Sequence, residues 1–181
     1  MKYCFRVNIS DEDYYKYNNF VALKSPYGNK MLTKCRIIIL VVIACCALLL
    51  FINNDHPVKE NLISIIPELA LLAAIEIFLP RLLSLFVKIT LKTQKKTGKP
   101  AYSASSQMEF YDDCFAETTE DGKTENKYSA VERVSVTDGY IYIHINGLMA
   151  YILPKSSFSS DGQYEEFLNF ITSKCGTVDK Y

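Results

Sequence analysis

The chain has 181 residues, 49% of them hydrophobic and 22% charged, with 20 lysines and arginines against 20 aspartates and glutamates. That length suits one domain, and a balanced charge gives no electrostatic reason to bind nucleic acid, so no nucleic-acid partner is expected. Its six cysteines make neither a disulfide framework nor a metal motif: Cys45 and Cys46 sit inside an apolar run, and Cys4, Cys35, Cys114 and Cys175 are scattered without a C-x-x-C pair. They read as reduced, mostly buried thiols in a domain that faces a reducing compartment.

The opening MKYCFRVNIS has no long apolar stretch and no small-residue cleavage signal, so it is not read as a cleaved signal peptide. Within residues 1–30, YCFRVNI predicts a strand that joins a sheet formed later in the chain. DEDYYKYNNF predicts a short helix lying close to a membrane.

Residues 31–91 carry two apolar blocks. Ile37 to Ile52 is an uninterrupted apolar run of 16 residues. At 1.5 Å per residue it covers about 24 Å, close to a hydrocarbon core of about 30 Å once its flanks are added. Little else in the chain can cover such a helix on every side, which argues against a soluble core helix. The second block, Leu62 to Val87, is about 39 Å long as a helix. NNDHPVKEN between them is rich in turn formers, so helices over about 35–54 and 62–87 are expected to form an antiparallel transmembrane hairpin. Lys24, Lys30, Lys34 and Arg36 precede it, and Lys88, Lys92, Lys95, Lys96 and Lys99 follow it, whereas the connection has only Lys59. The positive-inside bias therefore predicts two spans in the cell membrane with both termini cytoplasmic.

Three charged residues interrupt the second block. Glu68 falls near its outer end and can reach water; Glu76 lies deeper, where an ionised group costs roughly 2.5 to 3.5 kcal/mol or more. Pro80 lacks the N–H that would bond to the carbonyl of Glu76. Arg81 is about 140° around the helix from Glu76, so a partner for Glu76 is expected from another helix or subunit. Glu68, Glu76 and Arg81 are thus the intramembrane polar candidates, for helix packing or oligomer specification on one reading and for ion or proton conduction on the other.

Residues 92–106, KTQKKTGKPAYSASS, read as a basic then polar linker, with lysines placed to meet an anionic leaflet. Residues 107–176 read as a small antiparallel sheet with a C-terminal helix, and 177–181 as a tail. A strand over Met108 to Thr118 leads into a turn at EDGK, and Asp138-Gly139 makes a hairpin with Val136 opposite Ile141 and Val134 opposite Ile143. In YIYIHINGLMAYIL, a two-residue Asn146-Gly147 turn of type I′ pairs Ile145 with Leu148, Ile143 with Ala150 and Ile141 with Ile152. On that register the opposite face carries Tyr140, Tyr142, His144 and Tyr151, a possible partner surface. Pro154 ends the strand. Ser160 and Gln163 have capping-box spacing, and Tyr164, Phe167, Leu168 and Ile171 form a helical stripe that packs on the sheet.

No constellation of catalytic, cofactor-binding or metal-ligating residues emerges. His144 has no second histidine near it, since His56 falls in the opposite-side loop. Ser156, Ser157, Ser159 and Ser160 lack a base, and the acidic residues from Asp112 to Glu125 lack calcium-loop spacing. The chain is accordingly not expected to be an enzyme or to hold a cofactor.

The segment YSAVERVSVTDGYIYIHINGLMAYILPKSSF resembles the YcxB-like family of bacterial membrane proteins. Tyr128, Val131 and Val134 stand at its aromatic-x-x-Val-x-x-Val opening, and Leu153, Pro154, Lys155 and Phe158 at its closing segment. Tyr128 replaces a frequent tryptophan, and Ser156 a common basic residue. The resemblance implies a two-helix hairpin ahead of a small pleckstrin-homology-like module and implies no reaction. The expected protein is therefore an α+β membrane protein with the bilayer as its first partner, acting as an anchored interaction or regulatory module with a homo-oligomer or membrane-protein partner. The alternative is a subunit of an oligomeric transporter or channel that uses Glu76.

Overall fold

The computed structural model describes residues 1–53, 58–98 and 102–181; the side chains of 50–53, 58–65, 68 and 97 lie outside that description. Strand β1 (Tyr3–Asn8) pairs antiparallel with β2 (Ser105–Phe110), placing Tyr3 opposite Phe110 and Asn8 opposite Ser105. Between these adjacent strands run three helices: α1 (Asp11–Leu23), α2 (Pro26–Asn53) and α3 (Val58–Thr97). After β2 come β3 (Cys114–Thr119) and β4 (Gly122–Lys127), which complete a sheet of order β1-β2-β3-β4. Next are β5 (Arg133–Val136), β6 (Tyr140–His144), β7 (Ala150–Pro154), α4 (Asp161–Lys174) and β8 (Val178–Lys180). They form a second sheet of order β7-β6-β5-β8, in which β8 runs parallel to β5.

The two sheets and α4 share one core. Phe5, Val7, Met108, Phe110 and Phe115 enter it from the first sheet, and Val134, Val136, Ile141, Ile143 and Leu153 from the second. The α4 stripe expected from the 3.6-residue period is fully engaged: Tyr164, Phe167, Leu168 and Ile171 are all buried. Phe167 sits edge-on to Tyr3, Phe5 and Phe110 at centroid distances of 5.4, 5.0 and 4.7 Å. The helix starts where Ser160 Oγ accepts the Gln163 amide at 3.2 Å, while Gln163 Oε1 accepts from the Ser159 amide, one residue earlier than a capping box requires.

The Asp138-Gly139 hairpin has the expected register, with Val136 opposite Ile141 and Val134 opposite Ile143. The next hairpin does not. Ile143 faces Tyr151 and Ile141 faces Leu153, one residue out of step with a two-residue turn. A type I′ turn needs positive φ at both central residues, and Gly122 is the one described residue with a left-handed φ. Instead Asn146 Oδ1 accepts the amides of Leu148 and Met149, both at 2.9 Å, and builds a wider loop over residues 145–149. A one-residue shift exchanges the faces of β7, so Tyr151 and Leu153 turn toward the core and Ala150 and Ile152 away from it.

Other boundaries differ too. The stretch from Met108 to Thr118 is two strands, β2 and β3, with the turn at 111–113 between them. α2 begins at Pro26 and α3 continues to Thr97, taking up much of the expected linker at 92–106. Pro67 and Pro80 both lie inside α3. The expected tail at 177–181 contains β8, and the Tyr181 ring stands edge-on to Phe20 at 4.9 Å. All six thiols are free, as expected, but Cys175 alone is buried, with Cys4, Cys45 and Cys46 exposed and Cys35 and Cys114 intermediate.

Helix α1 is capped by Ser10, whose side chain accepts the Asp13 amide while Asp13 Oδ2 accepts the Ser10 amide, and Asp11, Glu12 and Asp13 suit the positive end of its dipole. Tyr17, Phe20 and Val21 form its buried face. It ends before Ser25-Pro26, and Pro26 opens α2 where a missing N–H costs nothing. Ser25 is fully buried at this corner, donating to the Val21 carbonyl at 2.7 Å and accepting the Gly28 amide at 3.0 Å. Gly28 permits the close approach: a Cβ there would stand 2.2 Å from the Val21 carbonyl oxygen and 2.5 Å from that of Ala22. Both obstacles are backbone. Gly28→Ala is therefore expected to destabilise the fold by about 1 to 3 kcal/mol, as overpacked sites do. Gly98→Ala, which meets no atom within 4 Å, serves as the control. Thermal unfolding of both variants of the full chain checks the difference, and equal melting temperatures would contradict the tight corner.

Candidate functional site

The second sheet is covered on both faces. On the side away from the main core, Tyr142 and Ile152 pack against Tyr17, Phe20 and Val21 of α1. Tyr142 is 1% exposed and His144 0% exposed. The Tyr142 ring stacks on Phe20 at 5.0 Å, and Tyr17 Oη donates to the Leu148 carbonyl at 2.7 Å, tying α1 to the 145–149 loop. Tyr140 is half-buried and donates to Asp13 Oδ1. Tyr151 lies on the other face, T-shaped to Phe115 and hydrogen-bonded to Asn126. The four residues expected to form one partner surface are thus divided between two packed interfaces, and two of them are sealed under α1. A sequence signal for this lies in the spacing of Tyr17, Phe20 and Val21, an apolar face that requires a cover.

His144 stands directly opposite Arg133, itself buried. Neither imidazole nitrogen has a hydrogen-bond partner among the described residues. Burial, and next the Arg133 charge, push the His144 pKa down from 6.5 to about 4, while the nearby Asn146 backbone pulls weakly the other way. The folded value lies below the unfolded one, so the unfolded chain takes up the proton first as the pH falls. Stability from neutral His144 is complete above about pH 6.5 and declines towards pH 4, by up to about 3 kcal/mol. Unfolding measured across that range is expected to show this decline in the wild type and a flatter profile in His144→Phe. Parallel profiles would refute the assignment.

Along the hairpin, Arg36 Nε of α2 lies 2.8 Å from Glu76 Oε2 of α3. It is an ion-pair contact, since the Nε–H is not directed along a hydrogen bond. Glu76 therefore has a cross-helix partner. Arg81 instead lies over the Phe78 ring of its own helix, 5.8 Å from the centroid. The side chain of Glu68 lies outside the described residues, as does His56. The ion pair sets the helix register, and that register is uneven: α2 is apolar on one side of it, from Ile37, whereas α3 is apolar from Leu69 to Ile75 and, apart from Arg81 and Ser84, from Ile77 to Val87. Among the described residues, Pro26–Leu49 and Leu69–Lys96 are long and apolar enough to cross a membrane, and almost nothing in the protein covers them. Arg36→Gln and Glu76→Gln are each expected to lower hairpin stability, and the exchange Arg36→Glu with Glu76→Arg to restore part of it. A coupling of about 0.5 to 2 kcal/mol is expected from interactions of this kind. Purely additive losses would show that the contact contributes nothing.

A third feature lies where α1 passes α3. Tyr15 Oη and Ser84 Oγ are hydrogen-bonded at 2.6 Å, and Asp11 accepts from both Lys95 Nζ and Tyr102 Oη. These two donors hold the Asp11 carboxyl below the ordinary range, and burial together with Asp11 pushes the Tyr102 phenol up to about 12. Tyr14 stacks on Tyr102 at 4.6 Å. The helices leave a cleft of about 570 Å³ here, continued towards Pro80 by a second of about 460 Å³; Tyr15 and Lys88 line both.

By architecture the chain is an α+β protein in which a domain of two sheets and a terminal helix carries a pair of long apolar helices between its first two strands. Its residues 110–171 match the model of the YcxB-like protein family. The match runs from the end of β2 into α4, so this segment is similar to the YcxB-like family, and the resemblance carried by Tyr128, Val131, Val134, Leu153, Pro154, Lys155 and Phe158 lies inside it. No curated protein and no solved structure matches the chain.

Proposed function

We propose that this chain is a membrane-anchored, non-enzymatic interaction or regulatory module whose two-sheet domain is held at the cytoplasmic surface by α2 and α3. The observation that carries this reading is the bareness of those helices, which keep large apolar side chains such as Ile38, Leu48, Ile77 and Phe86 more than half exposed. Such a surface is stable in lipid and a liability in water. The basic residues support the orientation, because Lys24, Lys30 and Lys34 on one side of the hairpin and Lys88, Lys92, Lys95 and Lys96 on the other all lie at its domain end. The four strands of the first sheet, the three of the second that precede α4, and α4 itself support a pleckstrin-homology-like module, interrupted after its first strand by the hairpin and extended by β8.

Exposed apolar groups mark the side of the domain turned to the bilayer. On α3 they continue to Ile89, and beside the base of α2 the loop residues Leu148 and Met149 are exposed near Tyr27. Glu76 lies about 18 Å along α3 from Lys88, at the level where Arg36 opens the unbroken apolar run of α2. There its pairing with Arg36 offsets the cost of a bare charge and fixes how the two helices sit. That favours packing over conduction for Glu76, with a homo-oligomer or a second membrane protein as the partner of the module.

The topology is tested in a cysteine-free variant with single cysteines introduced. In spheroplasts, an impermeant maleimide is expected to label Asn54→Cys and to reach Asp179→Cys after permeabilisation alone. Labelling of both sites before permeabilisation, or a chain that stays in the soluble fraction, would overturn the reading.

A further inference from the structure

We infer that the cleft between α1 and α3 seats one anionic phospholipid of the inner leaflet, its phosphate on Lys88 and Lys92. This rests on the membrane reading above and adds a specific ligand to it. The two cavities share Tyr15 and Lys88 and so adjoin along α3. The two ends of the cleft differ in character. Towards the hairpin Leu23, Pro80 and Leu85 supply apolar walls that suit an acyl chain; of the polar residues there, Ser84 is hydrogen-bonded to Tyr15 and Arg81 lies over the Phe78 ring. Towards the domain, charge remains after the local pairs are formed: Asp11 is engaged by Lys95 and Tyr102, and Glu12 by Lys16 at 2.9 Å. Lys88 and Lys92 have no ion-pair partner among the described residues.

Residues four apart on a helix share a face with about 5 to 6 Å between their Cβ atoms, a spacing that lets two ammonium groups meet one phosphate. Tyr14 and Tyr15 border the same space, with an apolar ring and a polar tip suited to the headgroup level. Apolar walls below, unpaired cations above and aromatic sides between them match an anionic amphiphile. A soluble anion would use the upper end alone and leave the lower walls without an occupant.

The test uses the full-length chain in nanodiscs of phosphatidylcholine mixed with phosphatidylglycerol, with retained lipid counted by native mass spectrometry. One phosphatidylglycerol per chain is expected, enriched over its bulk fraction on the order of tenfold given two lysines near the headgroup. The enrichment is expected to disappear in Lys88→Gln/Lys92→Gln and to persist in Lys30→Gln/Lys34→Gln, whose lysines lie outside the cleft. Equal loss in both variants would show unspecific attraction, and no enrichment in an inserted chain would refute the seat while leaving the anchor intact. Inorganic phosphate raising the melting temperature of chain in pure phosphatidylcholine discs as much as phosphatidylglycerol does would assign the cleft to a soluble anion and overturn the proposal. A chain that fails to enter discs at all would overturn both readings.

Discussion

Strands β1 and β2 are hydrogen-bonded neighbours, and every residue between Asn8 and Ser105 must leave and return through that one pairing. The constraint brings the N-terminus and the chain after α3 to the same sheet edge, where Ile9 donates to the Ala104 carbonyl at 2.9 Å. It also sets the base of the hairpin against the domain. The pairing contributes Phe5 and Val7 to the core beside Met108 and Phe110, so the energy that closes this long loop comes from the same apolar burial that holds α4. A hairpin inserted in this way is an internal part of the fold and does not hang from one end.

Helix α1 makes that insertion rigid. One face lies on Tyr142 and Ile152, another reaches α3 through Tyr15 and Asp11, and its C-terminal end is locked against α2 at Ser25 and Gly28. Sheet, α2 and α3 therefore all contact one thirteen-residue helix. A displacement of α3 relative to α2 would act on the second sheet through packed side chains, and a ligand on the sheet would act on the hairpin by the same route. The buried His144 and Arg133 pair lies in this layer, where unpartnered nitrogens make the packing sensitive to any loosening of α1.

Much of this was legible in the residues. Apolar length identified α2 and α3, the helical period identified the buried face of α4, and Asp138-Gly139 set one hairpin correctly. Asn146-Gly147 misled because a turn dipeptide has two uses. As an Asx acceptor, Asn146 closes a wider loop, and the resulting shift moved Tyr151 to the core. Tyr142 and His144 looked like surface because a strand's alternation separates two faces without telling which of them will be covered. The Arg36 partner of Glu76 was hidden for another reason: a contact between helices depends on their mutual register, which no local pattern encodes. Glu76 does take its partner from another helix, as expected, and Arg81 lies over Phe78 instead. The α1–α3 cleft has no linear signature at all, because Tyr15 and Ser84 meet through the fold.

The architecture depends most directly on β1 and β2 lying side by side around the inserted helices. In a cysteine-free chain, cysteines at Asn8 and Ser105, opposite each other in the register, fall within the Cα separation that a disulfide spans. Mild oxidation in native membranes is predicted to close an intramolecular bond, seen as faster migration of the monomer under denaturing conditions and reversed by reductant. Failure to close, or crosslinks that form between separate copies alone, would contradict the insertion and with it the architecture described above.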